Sequence, residues 1–228
     1  MSDNHSRIVE VLFQGLPFTV VATLGGIALT IVLSLIAGLA MLSRSRVVRG
    51  ISRTYVEIFR GTSEVVQLFW LFYALPILLG FQLVPLFAGV LVLGLNHGAY
   101  GAEIVRGAVQ SVPKAQVEGA VALNFSPAQR MRRVVLPQAL VEMVPPFNNL
   151  FIQLLKGTAL LSFIQVQEIT QRGQSLVPNF GPDLAFIYGV ELVMYLVLAL
   201  VITLVMRLLE RLTARRVGRT PMKVGTTA

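Results

Sequence analysis

The chain has 228 residues, 55% of them hydrophobic and 13% charged, with a mean hydropathy of +0.74 and a formal charge of +8. With glycine counted as apolar and tyrosine left out, the apolar class reaches about 61%, against roughly 45–50% in soluble domains, which excludes a soluble enzyme. Cysteine is absent and histidine occurs only as His5 and His97, so disulfides, thiolate chemistry and a histidine or cysteine metal cluster are excluded too.

Residues 1–15 read as a polar external tail. The run 16–42 lies in a stretch of 33 uncharged residues between Glu10 and Arg44, too long for a cleavable signal peptide, and reads as the first membrane span. Between Glu64 and Glu103 lie 38 more uncharged residues, about 57 Å as one helix, nearly twice the hydrocarbon thickness. Pro76, Gly80 and Pro85 break that run into a hairpin of two spans, 65–79 and 86–102. Residues 103–133 form a loop. The fourth span, 134–155, carries Glu142 and the kinking pair Pro145-Pro146; the fifth, 184–206, carries Glu191, and a basic tail occupies 207–228. The expected fold is all-α, a polytopic five-span bundle forming one membrane domain.

Charge position sets the orientation. Sixteen of the 19 basic residues fall in 43–60, 103–133 and the tail, whereas Arg7, Lys156 and Arg172 fall on the other side. The positive-inside rule puts the N-terminus outside and the C-terminus inside. The basic excess is then a topology signal, and no nucleic-acid partner is expected.

The cytoplasmic loop is patterned for structure. Ser126-Pro127-Ala128-Gln129 has the makings of a capping box with proline at the first helical position, opening a helix that runs into the fourth span. Ser111-Val112-Pro113 opens a second short helix through about Leu123. Asn124 between them tolerates the left-handed backbone that a tight helix-helix turn needs. Glu118-Gly119-Ala120, three residues, Asn124, nine residues and then Val134-Val135-Leu136-Pro137 resembles the EAA loop of ABC importer permeases, whose spacing is matched throughout. Gly119, Asn124 and Val134 replace the usual Ala, Gly and Ile. Ala99-Tyr100-Gly101-Ala102-Glu103, Phe59-Arg60-Gly61-Thr62 and Leu154-Leu155-Lys156-Gly157-Thr158 are similar to the polar amino acid permease family of histidine and glutamine type, and the resemblance covers about residues 15–215.

The resemblance implies a type I importer permease fold in a bacterial inner membrane. It also implies partners: a second permease subunit, identical or paralogous, two ATP-hydrolysing subunits, and an extracytoplasmic solute-binding protein. It assigns ATPase coupling to Glu118, Gly119, Ala120, Asn124, Leu136 and Pro137. No G-x-x-x-x-G-K-[ST] phosphate loop occurs in the sequence, so ATP hydrolysis is expected on another polypeptide and no cofactor on this one.

Each candidate has a structural alternative. Glu118 could simply pair with Lys114 one turn earlier, and Glu103 with Arg106 reads as a structural i,i+3 pair. Glu142 lies close enough to the cytoplasmic surface to reach water or Arg132 and Arg133. Glu191, about 10 Å into its span, either lines the pathway or makes a subunit contact. Asn148, Asn149 and Gln153 follow the proline pair, where a broken helix exposes carbonyls, and are assigned to the substrate pathway, with interhelical hydrogen bonding as the alternative. Gly94-Leu95-Asn96-His97-Gly98 offers a close helix approach, with His97 as a packing residue. Neutral groups at 148, 149 and 153 favour a neutral amino acid or a zwitterion such as ectoine over a cationic one. A secondary ion-coupled transporter is the competing reading, disfavoured by the odd span count and the docking loop. An intramembrane enzyme lacks any metal pair or aspartate dyad.

Overall fold

The computed structural model describes residues 2–216, and every regular element among them is helical. Arg219 and Lys223 of the basic tail lie outside the described residues. Eight helices follow in order: α1 (Ser2–Ala40), α2 (Arg46–Gly61), α3 (Glu64–Leu79), α4 (Pro85–Ser111), α5 (Lys114–Ala122), α6 (Pro127–Ile164), α7 (Ile169–Leu176) and α8 (Leu184–Arg216). α1, α6 and α8 are each long and apolar enough to cross a bilayer, and α2 with α3 passes the same test only as a pair bent by 105°.

The first helix does not wait for the apolar run. It starts at Ser2, because Ile8 and Leu12, one turn apart, pack fully buried against Ile169 of α7 and Ile187 of α8. His5 stacks on Phe186 with ring centroids 4.1 Å apart, and its Nε2 lies 3.4 Å from an oxygen of Asp183. The segment expected as a tail is therefore the N-terminal end of a 39-residue helix.

Two Leu-Pro steps are absorbed by the same device. A proline inside a helix removes one donor and pushes against the carbonyl four residues back. Ahead of Leu75-Pro76 the helix widens into a π-turn over Trp70–Ala74, and ahead of Leu136-Pro137 into another over Met131–Val135. The Leu75 and Leu136 amides accordingly donate five residues back, to Trp70 and Met131. The break of the hairpin thus falls at Gly80 rather than Pro76: Gly80 takes φ +71°, and Pro85 begins α4. Pro145-Pro146 does not break its helix either, since residues 136–157 run on as one α-helix. The pair leaves a chemical gap, because neither proline can donate to the carbonyls of Val141 and Glu142.

α4 is the axis of the bundle. Gly94 and Gly98 allow α1 to press directly on it: a Cβ at Gly94 would stand 2.5 Å from Leu29 Cδ2, and one at Gly98 2.8 Å from Leu33 Cβ. The small-residue pair therefore serves packing within the subunit. On other faces Val105 and Ala108 of α4 meet Ala139, Met143 and Phe147 of α6, while Val92 and Leu93 meet Leu154 and Leu161.

Candidate functional site

The segment from Lys114 folds as the short helix α5 and the start of α6, joined by a capped corner. α5 closes with Asn124 N–H donating to Val121 O at 2.9 Å and Phe125 N–H to Ala120 O at 3.0 Å, the paired bonds of a Schellman motif. Asn124 takes φ +56°, the left-handed position that this motif requires. On the far side, Ser126 Oγ accepts from Gln129 N–H and Gln129 Oε1 accepts from Ser126 N–H, a complete capping box that starts α6. The amides of Asn124, Phe125, Ser126 and Gln129 are thereby paired, which ties the end of α5 to the start of α6.

Glu118 and Gly119 sit exposed on α5, while Ala120 is buried. No ion pair joins Glu118 to Lys114 among the described residues, so that structural alternative is not realised. A Cβ placed on Gly119 meets nothing within 4 Å. Beneath it, Gly119, Ala120, Leu123, Phe125 and Val134 line a cavity of about 310 Å³, which ties the α5 motif to the start of α6. Leu136 and Pro137 are half-buried at the π-turn above it. Glu103 and Arg106 pair as expected, with both guanidinium contacts at 2.7 Å.

The substrate-pathway candidates do not all share one face. Helical spacing aligns Glu142, Pro145, Asn149, Gln153 and Lys156 in a single stripe, and all five are exposed on the subunit. The opposite face of α6, Ala139, Met143, Phe147, Leu150 and Leu154, is buried in the bundle. Asn148 stands a quarter-turn away, half-buried, with its Oδ1 buried and without a hydrogen-bond partner among the described residues. Glu191 is elsewhere. It is 7% exposed on α8, with Oε1 pressed against Gly173 of α7, away from the stripe.

Sequence reasoning assigned no site role to Lys156, Glu64 or Glu168. Lys156, in the sequence an external charge within the Leu154–Thr158 motif, stands on the stripe through its i+3 and i+7 relation to Gln153 and Asn149. Next to it, Gly157 lies against Leu93 of α4 and Glu64 of α3. Glu64 and His97 approach to 3.5 Å, and His97 Nδ1 lies 3.1 Å from Leu93 O, so His97 packs as expected, but beside a carboxylate. Glu168, wholly buried, caps α7 by accepting from Thr170 N–H at 2.9 Å, Gln171 N–H at 2.7 Å and the Tyr195 hydroxyl at 2.9 Å. Burial pushes its carboxyl above the usual value, and those hydrogen bonds oppose the shift.

Among the described residues the arrangement consists of a capped corner between α5 and α6 and a polar stripe on an otherwise apolar helix. A family model described as the binding-protein-dependent transport system inner membrane component matches residues 30–218. The chain belongs to this family. This permease is 48% identical over 189 residues to the probable amino-acid ABC transporter permease protein y4tF of Sinorhizobium fredii, covering 81% of this chain and 79% of that one. It is 35% identical over 193 residues to the L-cystine transport system permease protein TcyL of Bacillus subtilis, covering 82% and 81%. Among solved structures it is similar to an amino acid ABC transporter with histidines, at a TM-score of 0.82 and 28% identity, over 90% of this chain and 95% of that one. The permease thus has the type I importer fold and is an inner-membrane transport component rather than an enzyme. ATP hydrolysis belongs to separate subunits, and a binding protein is a further partner.

Proposed function

We propose that the permease forms one half of the pathway of an amino-acid importer, with the α6 stripe lining that pathway and α5 docking on the ATPase. The stripe carries the reading. A helix long and apolar enough to span a bilayer exposes Glu142, Asn149, Gln153 and Lys156 on one side, and polar groups at membrane depth belong against a water-filled cavity or a protein partner. A second permease subunit, identical or paralogous, closes the pathway, and two ATPase subunits complete the assembly.

In this reading five spans surround the pathway: α1, α3, the outer part of α4, α6 and α8. The 16-to-3 basic asymmetry supports an external N-terminus and an internal C-terminus. A cysteine replacing Ser111 is then shielded from an impermeant thiol reagent applied to intact cells, and one replacing Gln174 is labelled.

The named relatives are amino-acid permeases, which supports an amino acid over ectoine. Asn149 and Gln153 supply neutral donors and acceptors, and Lys156 places a cation on the same stripe for the solute carboxylate. A neutral amino acid is favoured, because Lys156 repels a second positive charge. Uptake of labelled neutral amino acids and labelled arginine by the complete transporter in proteoliposomes tests this. ATP-dependent uptake of a neutral amino acid is expected, and strong arginine uptake by a homodimer of this chain would contradict it.

A further inference from the structure

α2 has three faces, and the bundle occupies only one. Ser52 and Val56 are buried, Val56 packing with Ala37, Met41 and Ala102. To one side of this face lie Val47, Ile51 and Ile58, 70%, 68% and 54% exposed. To the other lie Arg46, Arg49, Arg53 and Arg60, with Glu57 as the single acid of the helix. Arg49 donates to Ser43 O, and Arg60 stands 3.7 Å from Glu103. Arg46 and Arg53 have no partner among the described residues and are exposed.

The directions of the two free faces are fixed by contacts to α4. Tyr55, on the side of the apolar face, donates to Leu95 O at 2.7 Å, toward the Pro85 end of α4. Arg60, on the basic side, reaches Glu103 and covers the Tyr100 ring, toward the Ser111 end where the docking corner lies. The 105° bend into α3 turns α2 across the bundle: if α3 runs along the membrane normal, α2 lies near the membrane plane. Apolar side chains then point into the bilayer and arginines toward the cytoplasm, the sidedness of a helix seated in the headgroup layer.

We propose that α2 is an in-plane anchor whose basic face binds anionic phospholipid headgroups of the cytoplasmic leaflet. The inference rests on the topology given under Proposed function. Four arginines against one glutamate supply charge complementarity, and the adjoining apolar face supplies the acyl-chain contact that a soluble anion would not use. Held this way, the headgroup layer sets the angle at which α3 enters the membrane, and with it the position of Glu64 beside Gly157 and the pathway stripe.

The test uses the complete transporter in nanodiscs with and without phosphatidylglycerol. In the cysteine-free chain, a fluorophore on Ile51→Cys is expected to be quenched by lipids carrying a shallow acyl-chain quencher, and one on Arg53→Cys by aqueous iodide. Phosphatidylglycerol retained through delipidation, measured against phosphatidylcholine by mass spectrometry, should fall roughly tenfold or more in the Arg46→Gln/Arg53→Gln variant, at about fivefold per arginine. Arg46→Lys/Arg53→Lys should restore most of it. Unchanged retention in the glutamine variant would overturn the proposal. So would an Ile51→Cys probe that lipid quenchers do not reach and that crosslinks to the ATPase or a second permease copy. Solute-stimulated ATP hydrolysis by the unsubstituted transporter in the same discs reports separately on the importer reading, and its absence in every disc would count against that reading alone.

Discussion

The α5–α6 corner and the polar stripe of α6 are built in opposite ways. At the corner the turn amides find partners in a Schellman motif and a capping box, and the exposed residues Glu118 and Gly119 ride on a stiff frame. Along the stripe Pro145 and Pro146 withhold two amide donors, and Asn148 beside it keeps a buried oxygen without a partner among the described residues. A part that transmits force must have its hydrogen bonds closed within itself, so that displacement is not lost in bending. Polar groups that meet a passing solute must keep capacity unspent. The π-turn at Met131–Val135 lies between the two.

The largest effect should come from the stripe. Replacing Lys156 by Met removes a charge-assisted hydrogen bond worth about 1.5–3 kcal/mol, so the apparent affinity in transport should weaken roughly 10- to 150-fold with ATPase docking unchanged. An unaltered KM would remove Lys156 from the pathway. At the corner, Gly119→Trp should leave the subunit folded, because a side chain there points into open space. Against an ATPase surface the same bulk should cost about 1–3 kcal/mol, cutting coupled transport roughly 5- to 150-fold. Normal transport by this variant would show that α5 does not dock there.

Why one region was readable and the other only partly so follows from the signals each carries. A corner is written in local chemistry: Ser126 with Gln129, Pro127 at the first position, and Asn124 where positive φ is needed each have a short-range reason, and each appears as expected. Gly80 and Pro85 bounded the hairpin for the same reason. The pathway face is written in helical phase, and grouping Asn148 with Asn149 by adjacency ignores a rotation of about 100° per residue. Read by phase, residues 142, 145, 149, 153 and 156 form the stripe, including the overlooked Lys156. Glu191 shows a further limit, since its burial against Gly173 of α7 depends on a long-range packing contact with no local signal in the sequence. The arginines of α2 enter the sequence reading by segment, as an orientation signal, and only their helical phase against Val47, Ile51 and Ile58 shows that they share one face.

Smaller effects sharpen the same contrast. Asn124→Ala forces a Cβ-bearing residue without a local hydrogen-bonding side chain into the left-handed region, costing about 1–2 kcal/mol. The transporter should show more ATP hydrolysed per solute moved, while Asn124→Gly should stay close to the original. Equal coupling ratios in the two variants would show that the corner need not be stiff. Asn149→Ala and Gln153→Ala each remove a neutral hydrogen bond of about 0.5–1.5 kcal/mol, roughly two- to tenfold in KM, and leave basal ATP hydrolysis intact. Full activity in both would leave the stripe without a solute contact.

The claim that α6 turns its polar stripe to water is tested most directly by single cysteines along the helix of this naturally cysteine-free chain. In the assembled transporter, a small charged thiol reagent should modify cysteines at Asn149 and Gln153, leave those at Leu150 and Leu154 unmodified, and react more slowly at the first pair when solute and ATP turnover occupy the pathway. Modification independent of position along α6, or complete protection of Asn149→Cys and Gln153→Cys in every state, would contradict the account.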